Sequence, residues 1–226
     1  MKNLKSTNTQ TQSSINNFKK QNNNKHQIYN LIILDESGSM ESIKSNIMSG
    51  FNEVIQSIKG IEKQFPEQEH YITFVTFNGL GIKPHLENQP VKKIKQIDEK
   101  TYNPDSVTPL FDAIGFSVND LKRILENEKG YNVLVTILTD GLENSSKEFS
   151  GSQINKIVKD LKHCGWTFTY IGTEHDIERV AKSISITNTM FFDKNENSIR
   201  GMFVAEKAAR LAFCENVEKN EKSIDN

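Results

Sequence analysis

Three short polar stretches of this 226-residue chain gather oxygen-bearing side chains where apolar runs end. Asp35-Glu36-Ser37-Gly38-Ser39-Met40 follows the run at 28–34, Thr139-Asp140-Gly141 follows Tyr131–Leu138, and Thr108-Pro109 opens an apolar helical pattern. Carboxylates and hydroxyls are hard ligands, suited to Mg²⁺ or Mn²⁺ and not to zinc. Mg²⁺ prefers octahedral geometry and keeps several waters. A shell drawn from Asp35, Ser37, Ser39, Thr108 and Asp140 therefore leaves room for a ligand from outside. Two carboxylate charges balance the ion's own two, and the remaining neutral hydroxyls leave it electrophilic. Such an ion attracts a carboxylate from another molecule. This is chemistry for binding more than for catalysis.

Each stretch alone has a plainer use. Ser37 or Ser39 could cap the first helix, and Thr108 before Pro109 is a helix-start signal in its own right. Asp140-Gly141 could be a turn. Those uses do not explain why all three stretches arrive at one mouth of one sheet.

The elements that must bring them there follow from periodicity. Residues 28–34 form an apolar run of the kind found in buried parallel strands. Ile43, Ile47, Phe51, Val54, Ile55, Ile58 and Ile61 then recur every three or four residues, which predicts one face of a long helix with Pro66 as its stop. Residues 71–77 read as a strand, and the turn Gly79-Leu80-Gly81 leads to a second strand at 82–86, an antiparallel hairpin at the sheet edge. Leu110, Phe111, Ile114, Val118, Leu121 and Leu125 mark another helix, with Pro109 in its first turn. Tyr131–Leu138 is the most apolar strand. Ile154, Ile157, Val158 and Leu161 give a helix ended by Gly165. A strand at 166–171, a short helix at 177–184 and a strand at 189–192 come next, and a closing helix is lined by Met202, Ala205, Ala208, Ala209 and Ala212. Alternating strands and helices predict an α/β fold with a doubly wound, mainly parallel central sheet, one antiparallel edge strand, and helices on both faces. In such sheets ligands bind beyond the carboxyl ends of the strands, where strand order reverses.

Asp35-x-Ser37-x-Ser39, the distant Thr108 and Thr139-Asp140-Gly141 together resemble the von Willebrand factor A domain and its metal-ion-dependent adhesion site. The resemblance covers residues 28–214. It implies that Ser37 and Ser39 coordinate the ion directly and that Thr108 does so directly or through water. It implies that Asp35 and Asp140 hold bound waters, with Asp140 able to reach the ion. The expected cofactor is Mg²⁺ or Mn²⁺, and the expected partner a protein presenting Asp or Glu. The stretches 35–40, 106–115 and 139–144 are similar to stand-alone A domains of bacteria and phages.

Composition narrows the classes further. With 28 basic and 29 acidic residues the chain lacks the positive excess of a nucleic-acid or membrane-surface binder. Two cysteines suit reduced thiols, and no apolar segment follows the N-terminal lysines, so a cytoplasmic setting is expected. Residues 1–27, with seven Asn and four Gln, are expected to be a disordered tail, and residues 215–226 a polar, fraying one. No Gly-x-Gly-x-x-Gly or Gly-Lys-Ser/Thr motif supports a nucleotide cradle. His26, His70, His85, His163 and His175 have no ligand spacing. Glu143 and Asn144 read as an exposed polar pair in a loop. No activated nucleophile or general base stands out, so an enzyme is not expected. The alternatives are a Mg²⁺-dependent hydrolase of phosphate esters using Asp35, and a scaffold subunit of a larger assembly.

Overall fold

The computed structural model describes residues 25–98, 100–173 and 177–224. β1 (His26–Asp35) leads through a 3-10 turn (Gly38–Ile43) into α1 (Lys44–Gln64). β2 (Gln68–Asn78) and β3 (Gly81–Pro90) form the hairpin, and a long connection reaches α2 (Leu110–Ile124). β4 (Tyr131–Leu138), α3 (Gly151–His163), β5 (Trp166–Thr173), α4 (Ile177–Ser183), β6 (Asn188–Phe192) and α5 (Glu196–Ile224) follow.

The strands lie in the order β3-β2-β1-β4-β5-β6. Only the β2–β3 pair is antiparallel. The chain moves outward from β1 to β2 and β3, then crosses back to lay β4 on the other side of β1. The order therefore reverses between β1 and β4. Leu34 pairs with Leu138 in the last register of that ladder, so Asp35 and Thr139 emerge side by side at the switch point, where such sheets bind ligands.

Both faces of the sheet are covered, which is why β1 is buried over eight consecutive residues. Tyr29, Leu31 and Ile33 pack with α2, α3 and α4 on one side. Ile32 and Leu34 pack with α1 and α5 on the other. The expected faces of α1 and α2 are the buried ones, except that Phe111 is only partly buried.

Two expectations near the C-terminus need correction. The inward face of α5 is Ile199, Met202, Phe203, Glu206, Arg210, Cys214 and Val217, while Ala205, Ala208, Ala209 and Ala212 are exposed. Two charged residues displace the alanines because, one turn apart, they neutralise each other. Glu206 pairs with Arg210, and the guanidinium also donates to Asn30 Oδ1 (2.6 Å) and Thr136 Oγ1 (3.1 Å) on the sheet. The segment beyond 214 continues α5 to Ile224, with Val217 buried beside Ile28, Ile61 and Phe65. Of the expected N-terminal tail, residues 1–24 lie outside the described residues, and β1 begins at His26.

Candidate functional site

Asp35, the last residue of β1, is fully buried. Its Oδ1 accepts from Ser37 N at 2.7 Å and its Oδ2 from Thr139 Oγ1 at 2.5 Å. Its main-chain oxygen accepts from the hydroxyl of buried Tyr102 at 2.6 Å. Burial pushes the carboxyl up to about 6, against the pull of the Thr139 and Ser37 hydrogen bonds, and the nearby charge of Asp140 adds to the rise. A carboxylate held this way strongly favours the arrival of positive charge.

The other expected residues converge on it. Ser37 Oγ and Ser39 Oγ lie 3.2 Å apart, and Ser39 Oγ donates to Asp140 Oδ1 at 2.5 Å. A Cβ placed on Gly141 would lie 3.1 Å from Thr108 Oγ1 and 3.7 Å from Asp35 Oδ2, so hydroxyl and carboxylate share the space above that glycine. The structure thus brings together Asp35, Ser37, Ser39, Thr108 and Asp140. Thr108 and Ser37 are buried, whereas Ser39 opens to solvent.

A cation already occupies the edge of the cluster. Lys194, from the loop between β6 and α5, places Nζ 2.5 Å from Asp140 Oδ2 as an ion pair and donates to Ser39 O at 3.2 Å. Among the described residues Asp140 Oδ2 has no hydrogen-bond donor besides that ammonium, and the Asp140 side chain is fully buried. Two buried carboxylates, three hydroxyls and a side-chain ammonium drawn among them fit a hard divalent cation. Among the described residues no group of three or more His, Cys, Asp or Glu side chains gathers as for a metal, so the acidic ligands here are Asp35 and Asp140 alone and the hydroxyls must complete the shell.

Several residues that hold this arrangement escaped the motif. Glu36, fully buried, accepts from Thr76 Oγ1 (2.7 Å) and Asn103 N (2.6 Å) and pairs with Lys83 Nζ (3.3 Å). Its main-chain oxygen accepts from Asp105 N at 2.8 Å, which ties the 103–105 connection to the end of β1. Asn144 exchanges two bonds with Thr108: its Oδ1 accepts Thr108 N at 2.9 Å, and its N donates to Thr108 O at 3.2 Å. Glu143 accepts from Phe111 N in the first turn of α2 (2.8 Å), and from Ser145 N and Ser146 N. Asp112 accepts from the main-chain N–H groups of Lys147, Glu148 and Phe149. Asn144 is exposed and Glu143 half-buried, as expected of a loop pair, yet together they clamp the loop after β4 to the start of α2. A carboxylate or amide close after Asp140 was the visible signal. Its partners at Thr108 and Phe111 lie more than 30 residues away and were not.

A family model for the von Willebrand factor type A domain matches residues 31–204, more than half of the chain. The chain belongs to this family. Domains of the type are generally non-enzymatic and mediate interactions between proteins. Solved structures with similar folds include the PilB minor pilin from Streptococcus sanguinis, at 13% identity and TM-score 0.61, covering 83% of this chain and 62% of that one. The pilus adhesin SpaC from Lactobacillus rhamnosus GG, in an open conformation, matches at 10% identity and TM-score 0.60 over 81% of this chain and 30% of its own. Proximal thread matrix protein 1 from the mussel byssus matches at 14% identity and TM-score 0.53, over 82% and 46%. This A domain thus spans less than two thirds of each of those chains, and at these identities the likeness is one of fold. No curated protein matches it in sequence.

Proposed function

We propose that this A domain is a divalent-metal-dependent protein-binding module whose ion, Mg²⁺ or Mn²⁺, takes up an Asp or Glu side chain of a partner. The observation that carries the reading is the meeting of Asp35, Ser37, Ser39, Thr108 and Asp140 at the reversal of strand order. Ser37 and Ser39 would ligate directly, Thr108 directly or through water, and Asp35 and Asp140 mainly through water. The bound ion would supply an electrophilic centre with a position open to an outside carboxylate. The chain's own residues do the rest. Asp35 and Asp140 offset the ion's charge, Thr139 and Ser37 N orient the Asp35 carboxylate, and Asn144 holds Thr108 in place.

The rim of the site supports a protein partner. Val107, beside Thr108, and Leu142, beside Gly141, are each about half exposed (47% and 49%). Exposed apolar side chains beside the site offer apolar surface of the kind the buried centre of an interface contains. A cytoplasmic setting belongs to the same proposal and is supported by the free thiols of Cys164 and Cys214.

Calorimetric titration with Mg²⁺ and Mn²⁺ tests the reading. Saturable binding of one ion by the native chain, lost in Asp35→Ala, is expected. Equal affinity in both proteins would remove the metal site. Partners captured by the native chain should be released by EDTA, and a partner set that persists in chelator would point to the scaffold alternative.

A further inference from the structure

Lys194 is not part of any motif, yet it makes the closest charge contact at the mouth of the sheet. Its ammonium lies 2.5 Å from Asp140 Oδ2 and donates to Ser39 O at 3.2 Å. It thereby bridges the loop after β1 and the loop after β4, the two that carry both carboxylates. The Asp140 side chain is fully buried and the Lys194 side chain about 39% exposed, so the contact runs from solvent into the site. The lysine is also firmly placed. It sits between Asp193, whose N donates to Ser198 Oγ (2.8 Å), and Asn195, whose Oδ1 accepts Ser198 N (2.9 Å) at the start of α5.

Resting on the metal reading above, we propose that Lys194 is a tethered competitor for the metal position. In the metal-free protein it neutralises the Asp35–Asp140 pair, and it must leave Asp140 before a divalent ion can bind. The reason is electrostatic. An ammonium and a divalent ion held by the same few oxygens repel each other strongly in a buried setting. Without any cation, two buried carboxyl side chains would share one cluster with no positive charge to balance them. Lys194 therefore sets the metal affinity of the site. It also links occupancy to the loop that starts α5, because the ammonium that ties that loop to Asp140 is released when the ion enters. Lys83 does not substitute for it, since that lysine is paired with Glu36.

The test uses the full chain and the metals themselves. Lys194→Met should bind Mg²⁺ and Mn²⁺ roughly tenfold or more tightly in calorimetric titration, the lower end of what residues around a metal site contribute. It should also melt at a lower temperature than the native chain in EDTA, with the gap narrowing in saturating metal. Lys194→Arg, which keeps the charge, should restore metal affinity to within a few-fold of native. Lys44→Met removes a nearby charge that contacts Asn103 and not the carboxylates, and should leave metal affinity unchanged. In the native chain, the ammonium signal of Lys194 observed by NMR in EDTA should shift or vanish on adding Mg²⁺, a readout that needs no variant to fold. Native chain and Lys194→Met binding metal with equal affinity, or an unmoved ammonium signal in a protein that does bind Mg²⁺, overturns the proposal and leaves the metal site standing. If neither protein binds metal, the reading of the site falls and this proposal with it.

Discussion

Replacing Asn144 with alanine separates a structural bond from its effect on the site. Asn144 Oδ1 accepts the Thr108 N–H at 2.9 Å, and Thr108 is only 3% exposed. Alanine leaves that donor without its partner, at a cost of about 1–3 kcal/mol. For a domain of this size each kcal/mol lowers Tm by about 2–4 °C, so a fall of roughly 2–12 °C is expected. The loop carrying Thr108 also loses a tether, and residues that orient ligands change metal affinity by about 10–100-fold. Asn144→Asp retains an acceptor oxygen and should recover most of the Tm loss. Thermal denaturation followed by circular dichroism, in EDTA, gives the first quantity, and calorimetry with Mn²⁺ gives the second. A normal metal affinity in Asn144→Ala, alongside the expected fall in Tm, would show that Asn144 stabilises the loop without positioning Thr108. The clamp would then have no functional meaning.

Three further outcomes follow from the packing. Arg210→Met leaves Glu206 buried and uncompensated and should cost about 3–5 kcal/mol in urea denaturation, whereas Glu206→Leu combined with Arg210→Met should regain most of it; a loss below about 1 kcal/mol for the single change would contradict the buried-pair reading. His70 is fully buried, neither ring nitrogen is hydrogen-bonded among the described residues, and burial with the nearby Arg210 lowers its pKa to about 3. The unfolded chain takes up that proton near pH 6.5 and the folded one does not. His70 should therefore remove stability as pH falls from about 6.5, by about 4 kcal/mol at pH 3, and His70→Leu should flatten this part of the pH profile; parallel profiles would refute it. A Cβ on Gly50 would lie 1.9 Å from Phe203 Cε2, so Gly50→Ala should separate α1 from α5 and cost about 1–3 kcal/mol, with Phe203→Leu restoring part of the loss; additive effects in a double-mutant cycle would show that the two residues do not press on each other.

Most of the fold was legible because strands and helices announce themselves by local period. The seven apolar positions expected for the first helix are all buried, Ile43 in the 3-10 turn and six in α1, and the Gly79-Leu80-Gly81 turn makes the antiparallel edge as expected. The five oxygen-bearing residues were legible because each follows or precedes an element whose end was visible. The inward face of α5 was not legible, because it includes a buried ion pair where the alanines alone suggest a small-residue face. Arg210 can be buried beside Glu206 because Asn30 on β1 and Thr136 on β4 accept the rest of its guanidinium, and no local pattern records such a match. Lys194, Glu36 and Asn144 are cases of the same kind. Lys194 is 54 residues from Asp140, Glu36 is 67 from Asn103, and Asn144 is 36 from Thr108. Their roles come from topology, which sets distant loops side by side, and not from any spacing within a stretch.

An anomalous difference map from crystals grown with Mn²⁺ tests the proposed metal site most directly. A single peak is expected at the carboxyl end of β1, bonded to the hydroxyls of Ser37 and Ser39, with Asp35, Thr108 and Asp140 around it and Lys194 Nζ moved away. A map with no peak there, or a Mn²⁺ ion held elsewhere while Lys194 keeps its contact with Asp140, would contradict it.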